Sequence, residues 1–160
     1  SNFHAMRLKS ALDLAAKEGL PHFRVLQPEY NLVSRRKFEG ELQDLCITHN
    51  LGVIPYYGLA SGFLTGKYRS EADLLKSVRG GGMAKLLAGK GGAVLAVMDE
   101  VAAETGASLA QIALAWLAAQ DGVTAPIASA TSTEQLDELI GAWNVELSRD
   151  QLDRLTAAGA

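Results

Sequence analysis

The sequence predicts an α/β fold with a parallel sheet, and three observations carry that expectation. Short apolar runs at 23–26, 53–57 and 123–130 alternate with longer amphipathic stretches. That alternation brings strands together in parallel through right-handed crossovers. Three helix starts carry serine three residues before glutamine, at Ser108/Gln111, Ser132/Gln135 and Ser148/Gln151, the pattern in which side chain and backbone cap each other. The 160 residues are 48% hydrophobic, 21% charged and 6% aromatic, an ordinary globular composition. A domain of this size buries roughly 70% of its unfolded surface, enough for a real core.

The elements follow in order. His4 to Glu18 carries Leu8, Leu12, Ala15 and Ala16 at helical spacing, and Gly19 and Pro21 end it. Phe23, Val25 and Leu26 form a short strand that runs into Gln27-Pro28-Glu29-Tyr30-Asn31. A second helix is expected from about Arg36 to His49, with Phe38, Leu42, Leu45 and Cys46 on one face and Asn50 and Gly52 as its stop signal. Val53-Ile54-Pro55-Tyr56-Tyr57 is a compact apolar run of the buried-strand type.

Gly58 to Gly92 is rich in glycine, including Gly80-Gly81-Gly82, and is expected to be largely mobile loop. Helices at Ala93–Glu104 and Leu109–Gln120 come next, then a third strand at Val123–Ala130. A helix at Glu134–Ala142 and a last one capped by Ser148 complete the chain. Three parallel strands make a thin sheet for an independent domain.

Composition excludes several classes of function. Fifteen basic residues against 18 acidic ones, with no basic cluster, leave no footprint for nucleic acid. Cys46 is the sole cysteine and His4, His22 and His49 are scattered, which offers no metal-ligand spacing. The longest apolar run, Ile112 to Ala119, falls far short of the ~20 residues of a membrane helix. A soluble, cytoplasmic chain is expected, with Cys46 a buried structural thiol. The first methionine, Met6, lies inside a helical pattern, so residues upstream of Ser1 are expected.

Two constellations could carry chemistry. The run Tyr56-Tyr57-Gly58-Leu59-Ala60-Ser61-Gly62-Phe63-Leu64-Thr65-Gly66-Lys67-Tyr68 follows a strand. Its small residues let backbone N–H groups approach an anion, and Lys67 and Arg69 add positive charge. It is not a Walker loop, because Ser61 stands at the first glycine position and Tyr68 where Ser or Thr would hold magnesium. The second, Ser129-Ala130-Thr131-Ser132-Thr133-Glu134-Gln135, sets hydroxyl groups at a helix start. Taken singly, each also reads as a plain surface turn or a well-capped helix. Together they fall at the ends of parallel strands, where α/β sheets bind ligands. Arg79 is a further cation in reach of a phosphate. The carboxylate pairs Glu134/Glu138 and Asp99/Glu100 read as solvated helix faces.

These residues also resemble a known family. Ser1-Asn2-Phe3, Leu26 to Asn31, Tyr56 to Tyr68, Ser108-Leu109-Ala110-Gln111-Ile112-Ala113-Leu114-Ala115-Trp116 and Pro126-Ile127 to Leu136, in this order, are similar to the C-terminal half of an aldo-keto reductase. The likeness spans essentially the whole chain. It implies one domain over residues 1–160 that forms the later part of a (β/α)₈ TIM barrel, with the N-terminal half absent.

The resemblance implies a role for each site residue. Ser1, Asn2 and Gln27 hold the carboxamide of the nicotinamide in NADP(H), and Tyr56 stacks on its ring. Gly58, Leu59, Ser61 and Gly62 line the pyrophosphate with Lys67 beside it. Arg79, Ser129, Thr131, Gln135 and Glu138 surround the adenosine and its 2′-phosphate. Planar rings want aromatic faces, and phosphates want N–H groups and cations. Tyr57 stands where the family often has serine and Ser129 where it often has glycine, both expected to narrow the groove. Leu139 stands where it often has asparagine, which is expected to loosen adenine binding.

The family's Asp–Tyr–Lys–His proton-transfer tetrad lies on the first four strands, so none of its residues falls in this chain. If the 160 residues are the whole molecule, the resemblance implies an inactive half-barrel that self-associates or pairs with a missing N-terminal half. In a complete protein, it implies reduction of aldehydes or ketones to alcohols. The alternative is a nucleotide-binding regulatory module similar to the cytoplasmic subunits of potassium channels.

Overall fold

The computed structural model describes residues 1–70, 72–73 and 83–160. The elements run α1 (Ala5–Glu18), β1 (Val25–Leu26), α2 (Glu41–Thr48), β2 (Gly52–Val53), a 3₁₀ turn (Ala60–Thr65), α3 (Ala84–Ala88), α4 (Gly91–Thr105), α5 (Leu109–Ala118), α6 (Thr133–Gly141), a second 3₁₀ turn (Ala142–Asn144) and α7 (Arg149–Ala158). The helices begin and end largely where their caps place them. Ser108 with Gln111 and Ser148 with Gln151 form full capping boxes, and Ser132 accepts from the Gln135 N–H. Gly19 and Gly106 adopt left-handed φ values of 64° and 73° and return their N–H groups to the last turns of α1 and α4.

β1 and β2 pair in parallel, Val25 with Gly52 and Leu26 with Val53. Parallel bridges extend the alignment from Glu29 to Tyr56 and from Val53 to Val123. The third expected strand, 123–130, is therefore reduced to a bridged segment. It lies along β2 through Thr124 N–H to Val53 O at 2.8 Å and Ile127 N–H to Pro55 O at 2.9 Å. Each of the three segments carries a proline, at Pro28, Pro55 and Pro126, which cannot donate to a ladder and so cuts the regular pairing short.

The sheet has one covered face. Leu26 and Val53 are buried against the helices, whereas Phe23, Val25 and Ile127 are exposed. Strands buried on both faces, as the apolar runs suggest, are thus not what the described residues form.

α2 begins at Glu41, five residues later than the apolar pattern suggests. Gly40 at φ 84° breaks the helix, and residues before it make turns in which the Phe38 and Glu39 N–H groups donate to Arg35 O. Phe38 is still fully buried, because a turn returned it to the core face and so mimicked helical spacing. The chain leaves α2 through Asn50 at φ 50°, while Gly52 belongs to β2.

α5 is the centre of the core, with Ile112, Ala113, Trp116 and Leu117 all essentially buried. Trp116 Nε1 donates to Thr156 Oγ1 at 3.0 Å, which pins α7. The Arg35 guanidinium donates to the Thr156 carbonyl and lies over the Trp116 ring. Cys46 is buried as expected, and burial pushes its thiol up to about 11. Among the described residues, no single helix is long and apolar enough to cross a membrane.

Candidate functional site

Tyr56 stands three residues past β2, in a bridge with Glu29 and held by the chain after β1. Its N–H donates to Pro28 O at 2.9 Å, and its carbonyl faces the Tyr30 N–H. The next residue, Tyr57, is one of five non-glycine residues at positive φ among the described residues, at 58°, a conformation that costs energy and persists only where its surroundings enforce it. Asn31 is the enforcer. It is 2% exposed; its Nδ2 donates to the Tyr57 carbonyl at 2.9 Å, and its Oδ1 accepts from the Val33 and Ser34 N–H groups.

Beyond Tyr57 the chain folds into the 3₁₀ turn through three successive positive-φ residues, Ala60 at 48°, Ser61 at 56° and Gly62 at 91°. Ala60, Phe63 and Leu64 are buried beneath it and anchor it on the core. Gly58 is buried where a Cβ would stand 3.1 Å from Leu114 and from Leu117 and 3.9 Å from the carbonyl of Ile127. This position ties the strand-end loop to α5 and to the neighbouring bridged segment. The N–H groups of Gly58 and Leu59 meet no backbone acceptor among the described residues. Lys67 folds back over the turn: its Nζ is 2.9 Å from where a Gly62 Cβ would be and 5.1 Å from the Tyr68 ring centroid.

At the other side of Tyr56, Ser1 Oγ donates to Gln27 Oε1 at 3.1 Å and Tyr56 OH to Asn2 Oδ1 at 3.3 Å. Ser1 thus pairs with Gln27, and Asn2 with the Tyr56 hydroxyl. A cleft of about 350 Å³ opens there, lined by Asn2, Phe3, Pro28, Glu29, Lys37 and Tyr56 among others. Lys37 Nζ donates to Glu29 Oε2 at 2.7 Å and Ser34 Oγ to Glu29 Oε1 at 3.0 Å. The lysine hydrogen bond holds the Glu29 carboxyl below its ordinary value, against a smaller opposing effect of burial.

Residues 129–138 are all exposed except the half-buried Ala130. The Gln135 side chain accepts from Thr131 N–H and Thr131 Oγ1, both at 3.0 Å, and so fixes the loop that enters α6. Ser132 caps the Gln135 N–H, and hydrogen bonds from Ser132, its own N–H and Thr133 hold the Glu134 carboxyl below its ordinary value. Glu138 is held through its carbonyl, which accepts from Gln111 Nε2 at 3.0 Å. Arg79 and Gly80 to Gly82 lie outside the described residues.

Arg69 differs from the sequence reading. Instead of a free cation facing an anion site, it forms a two-pronged pair with Asp99 on α4, at 2.7 and 2.8 Å. Asp99 lies on an exposed helix face, as expected, and is in addition an ion-pair partner.

The Asn31–Tyr57 and Arg69–Asp99 pairings are not announced by any local pattern in the sequence. A buried asparagine five residues past β1 is visible as a residue type, but its Tyr57 partner comes from the separate loop after β2. Asp99 lies 30 residues from Arg69, beyond any local pattern. The whole arrangement presents an aromatic face, amide groups, unengaged N–H groups and a lysine along one end of the sheet. That combination can hold a flat heterocycle joined to an anionic linker.

A family model described as the aldo/keto reductase family matches residues 1–160. A protein of Oryza sativa subsp. japonica named as a probable voltage-gated potassium channel subunit beta is 33% identical, with 98% of this chain aligned to 50% of that protein. The L-glyceraldehyde 3-phosphate reductase of Escherichia coli K12 is 31% identical over 90% of this chain and 43% of its own length. An aldo-keto reductase of Alternaria alternata is 28% identical over 88% of this chain and 38% of its own. The chain spans about half the length of the curated relatives it matches.

Proposed function

The chain belongs to the aldo/keto reductase family, and from that premise we propose that its strand-end loops form the NADP(H)-binding part of a (β/α)₈-barrel carbonyl reductase. The observation that carries this reading is the hydrogen bond from the Tyr56 hydroxyl to Asn2, next to the Ser1–Gln27 pair in the chain, with Gly58, Leu59, Ser61, Gly62 and Lys67 on the loop that continues from Tyr56. The residues present fit the group. A Cβ at Gly58 would crowd Leu114 and Leu117 at 3.1 Å, its N–H and that of Leu59 meet no backbone acceptor among the described residues, and Lys67 overhangs the glycine of the turn.

In this reading Gln27, Ser1 and Asn2 orient the carboxamide, and Tyr56 offers its ring to the nicotinamide. Lys67 and the loop N–H groups neutralise the pyrophosphate. Thr131 and Gln135, with Ser129, Glu138 and Arg79, receive the adenosine end. The bound cofactor supplies hydride to an aldehyde or ketone. No residue of this chain is assigned the proton transfer. The exposed apolar groups on the open sheet face, Phe23, Val25 and Ile127, with Leu136, Ile140 and Trp143 on and after α6, are where further barrel segments or a second copy would pack. A cytoplasmic location accords with this chemistry.

Titration of the full chain with NADPH, followed by calorimetry, tests the reading. Saturable binding at one site per chain is expected, and absence of binding at millimolar NADPH would overturn it. The likeness to a protein named as a potassium channel subunit supports a second reading, a nucleotide-binding regulatory module. NADPH binding without oxidation on addition of an aromatic aldehyde favours that reading, while steady oxidation favours the reductase.

A further inference from the structure

We infer that Arg69 and Asp99 form a positioning pair for Lys67, so that a cation beside the candidate phosphate site acts there only through its neighbour. The inference rests on the cofactor reading above for its consequence but on geometry for its substance. Arg69 Nη1 and Nη2 donate to the two carboxylate oxygens of Asp99 at 2.7 and 2.8 Å. This two-pronged arrangement fixes the guanidinium plane where a single contact would leave it free. The same guanidinium turns its Nε to the carbonyl of Gly66 at 2.8 Å. Lys67 thus lies between two residues held by one group, and that group is fixed to α4.

Two further features support the pair. Gly66 has φ 78°, and a Cβ there would stand 2.7 Å from Arg69 Nη2, so glycine at this position lets the guanidinium fold back on the loop. On the other side, Asp73 Oδ2 accepts from the N–H groups of Arg69 and Ser70 at 2.9 and 2.8 Å, which closes the turn behind the arginine. With its flanks fixed, the Lys67 stem leads back over Gly62 and its ammonium lies over the Tyr68 ring. A flexible lysine would sample many rotamers, and holding it in place removes the ordering cost that binding would otherwise meet. Arg69 meanwhile is neutralised by Asp99 and adds no net charge for a phosphate to use.

The sign of one substitution separates this role from simple electrostatics. If Arg69 itself bound phosphate, Asp99→Asn would release it and remove a negative charge, so NADPH would bind more tightly. The positioning role predicts weaker binding. Arg69→Met and Asp99→Asn should each weaken NADPH about threefold to tenfold, and the double variant should be little worse than either alone, as expected for two groups acting as one unit. In a Lys67→Met background, Arg69→Met should have no further effect.

Lysine acylation followed by mass spectrometry, with no cofactor present, gives an independent reading. Lys67 should label several-fold faster in Asp99→Asn than in the parent chain, while Lys9 and Lys17 on α1 keep their rates. Unchanged Lys67 labelling, tighter binding by Asp99→Asn, or a full Arg69 effect without Lys67 would each overturn the inference. Absence of NADPH binding by the parent chain would instead overturn the cofactor reading, leaving the labelling result to decide the pair.

Discussion

The side chain of Asn31 donates to the Tyr57 carbonyl at 2.9 Å while accepting from Val33 and Ser34, so one buried amide joins the loop after β1 to the loop after β2. Its removal would leave the Val33 N–H without a partner, while the Tyr57 carbonyl keeps the Ala60 N–H at 2.7 Å and the Ser34 N–H keeps the Asn31 main-chain carbonyl at 3.1 Å. Asn31→Ala should therefore lower stability by about 1–3 kcal/mol, the scale of one unsatisfied buried group. Asn31→Asp keeps the acceptor but sets an oxygen against the Tyr57 carbonyl, and should also destabilise. Urea unfolding midpoints at unchanged slope check both.

The Tyr56 ring and its hydroxyl make separable contributions. Tyr56→Phe keeps the stacking face and loses only the 3.3 Å contact to Asn2, so NADPH affinity should change less than about twofold. Tyr56→Ala should weaken it about threefold to tenfold or more, from aromatic stacking of roughly 0.5–1.5 kcal/mol beyond area burial. Calorimetric titration of the two variants checks the split.

Gly62 takes a left-handed φ of 91°, and a Cβ there would stand 2.9 Å from Lys67 Nζ. Gly62→Ala should cost about 1–2 kcal/mol in backbone strain and displace the lysine. NADPH binding should fall in this variant, with the loss diminished when Lys67 is already methionine. The same titrations in both backgrounds provide the check.

Glu29 links Ser34 and Lys37 across the cleft, and its carboxyl is held below its ordinary value chiefly by the lysine hydrogen bond. For a carboxyl with a depressed folded-state value, the stabilisation is present above the unfolded value near about 4.3 and is lost as pH falls through the folded one. Glu29→Gln should remove that part of the acid dependence while leaving the neutral-pH fold intact. Thermal unfolding from pH 7 down to pH 3 measures it.

The Cys46 thiol is fully buried, and burial alone raises it to about 11. Thiolate is the reacting form. Alkylation with iodoacetamide at pH 8 should be slow in the folded chain and fast in urea, and equal rates would place Cys46 at the surface.

Much of the fold is legible because its signals are local. Ser108, Ser132 and Ser148 each lie three residues before the glutamine whose N–H they cap, and Gly19 supplies the left-handed exit of α1. Signals fail where a turn imitates a period or a proline breaks one. Phe38 keeps the α2 spacing from outside the helix, and Pro126 reduces the expected third strand to a bridged segment. At the site, residue types announce the anion-friendly loop from Gly58 to Gly62. The pairs that shape it, Asn31 with Tyr57 and Arg69 with Asp99, join residues 26 and 30 positions apart. Only the packing of β1 and β2 and the placement of α4 bring them together.

The most direct test of the cofactor cradle is hydrogen exchange of the full chain with and without NADPH. The account predicts added protection at 56–62 and 129–135, at one end of the sheet, with no change at 46–52 and 121–124 at the other. Protection confined to that second end, or binding with no protection of either strand-end loop, would contradict it.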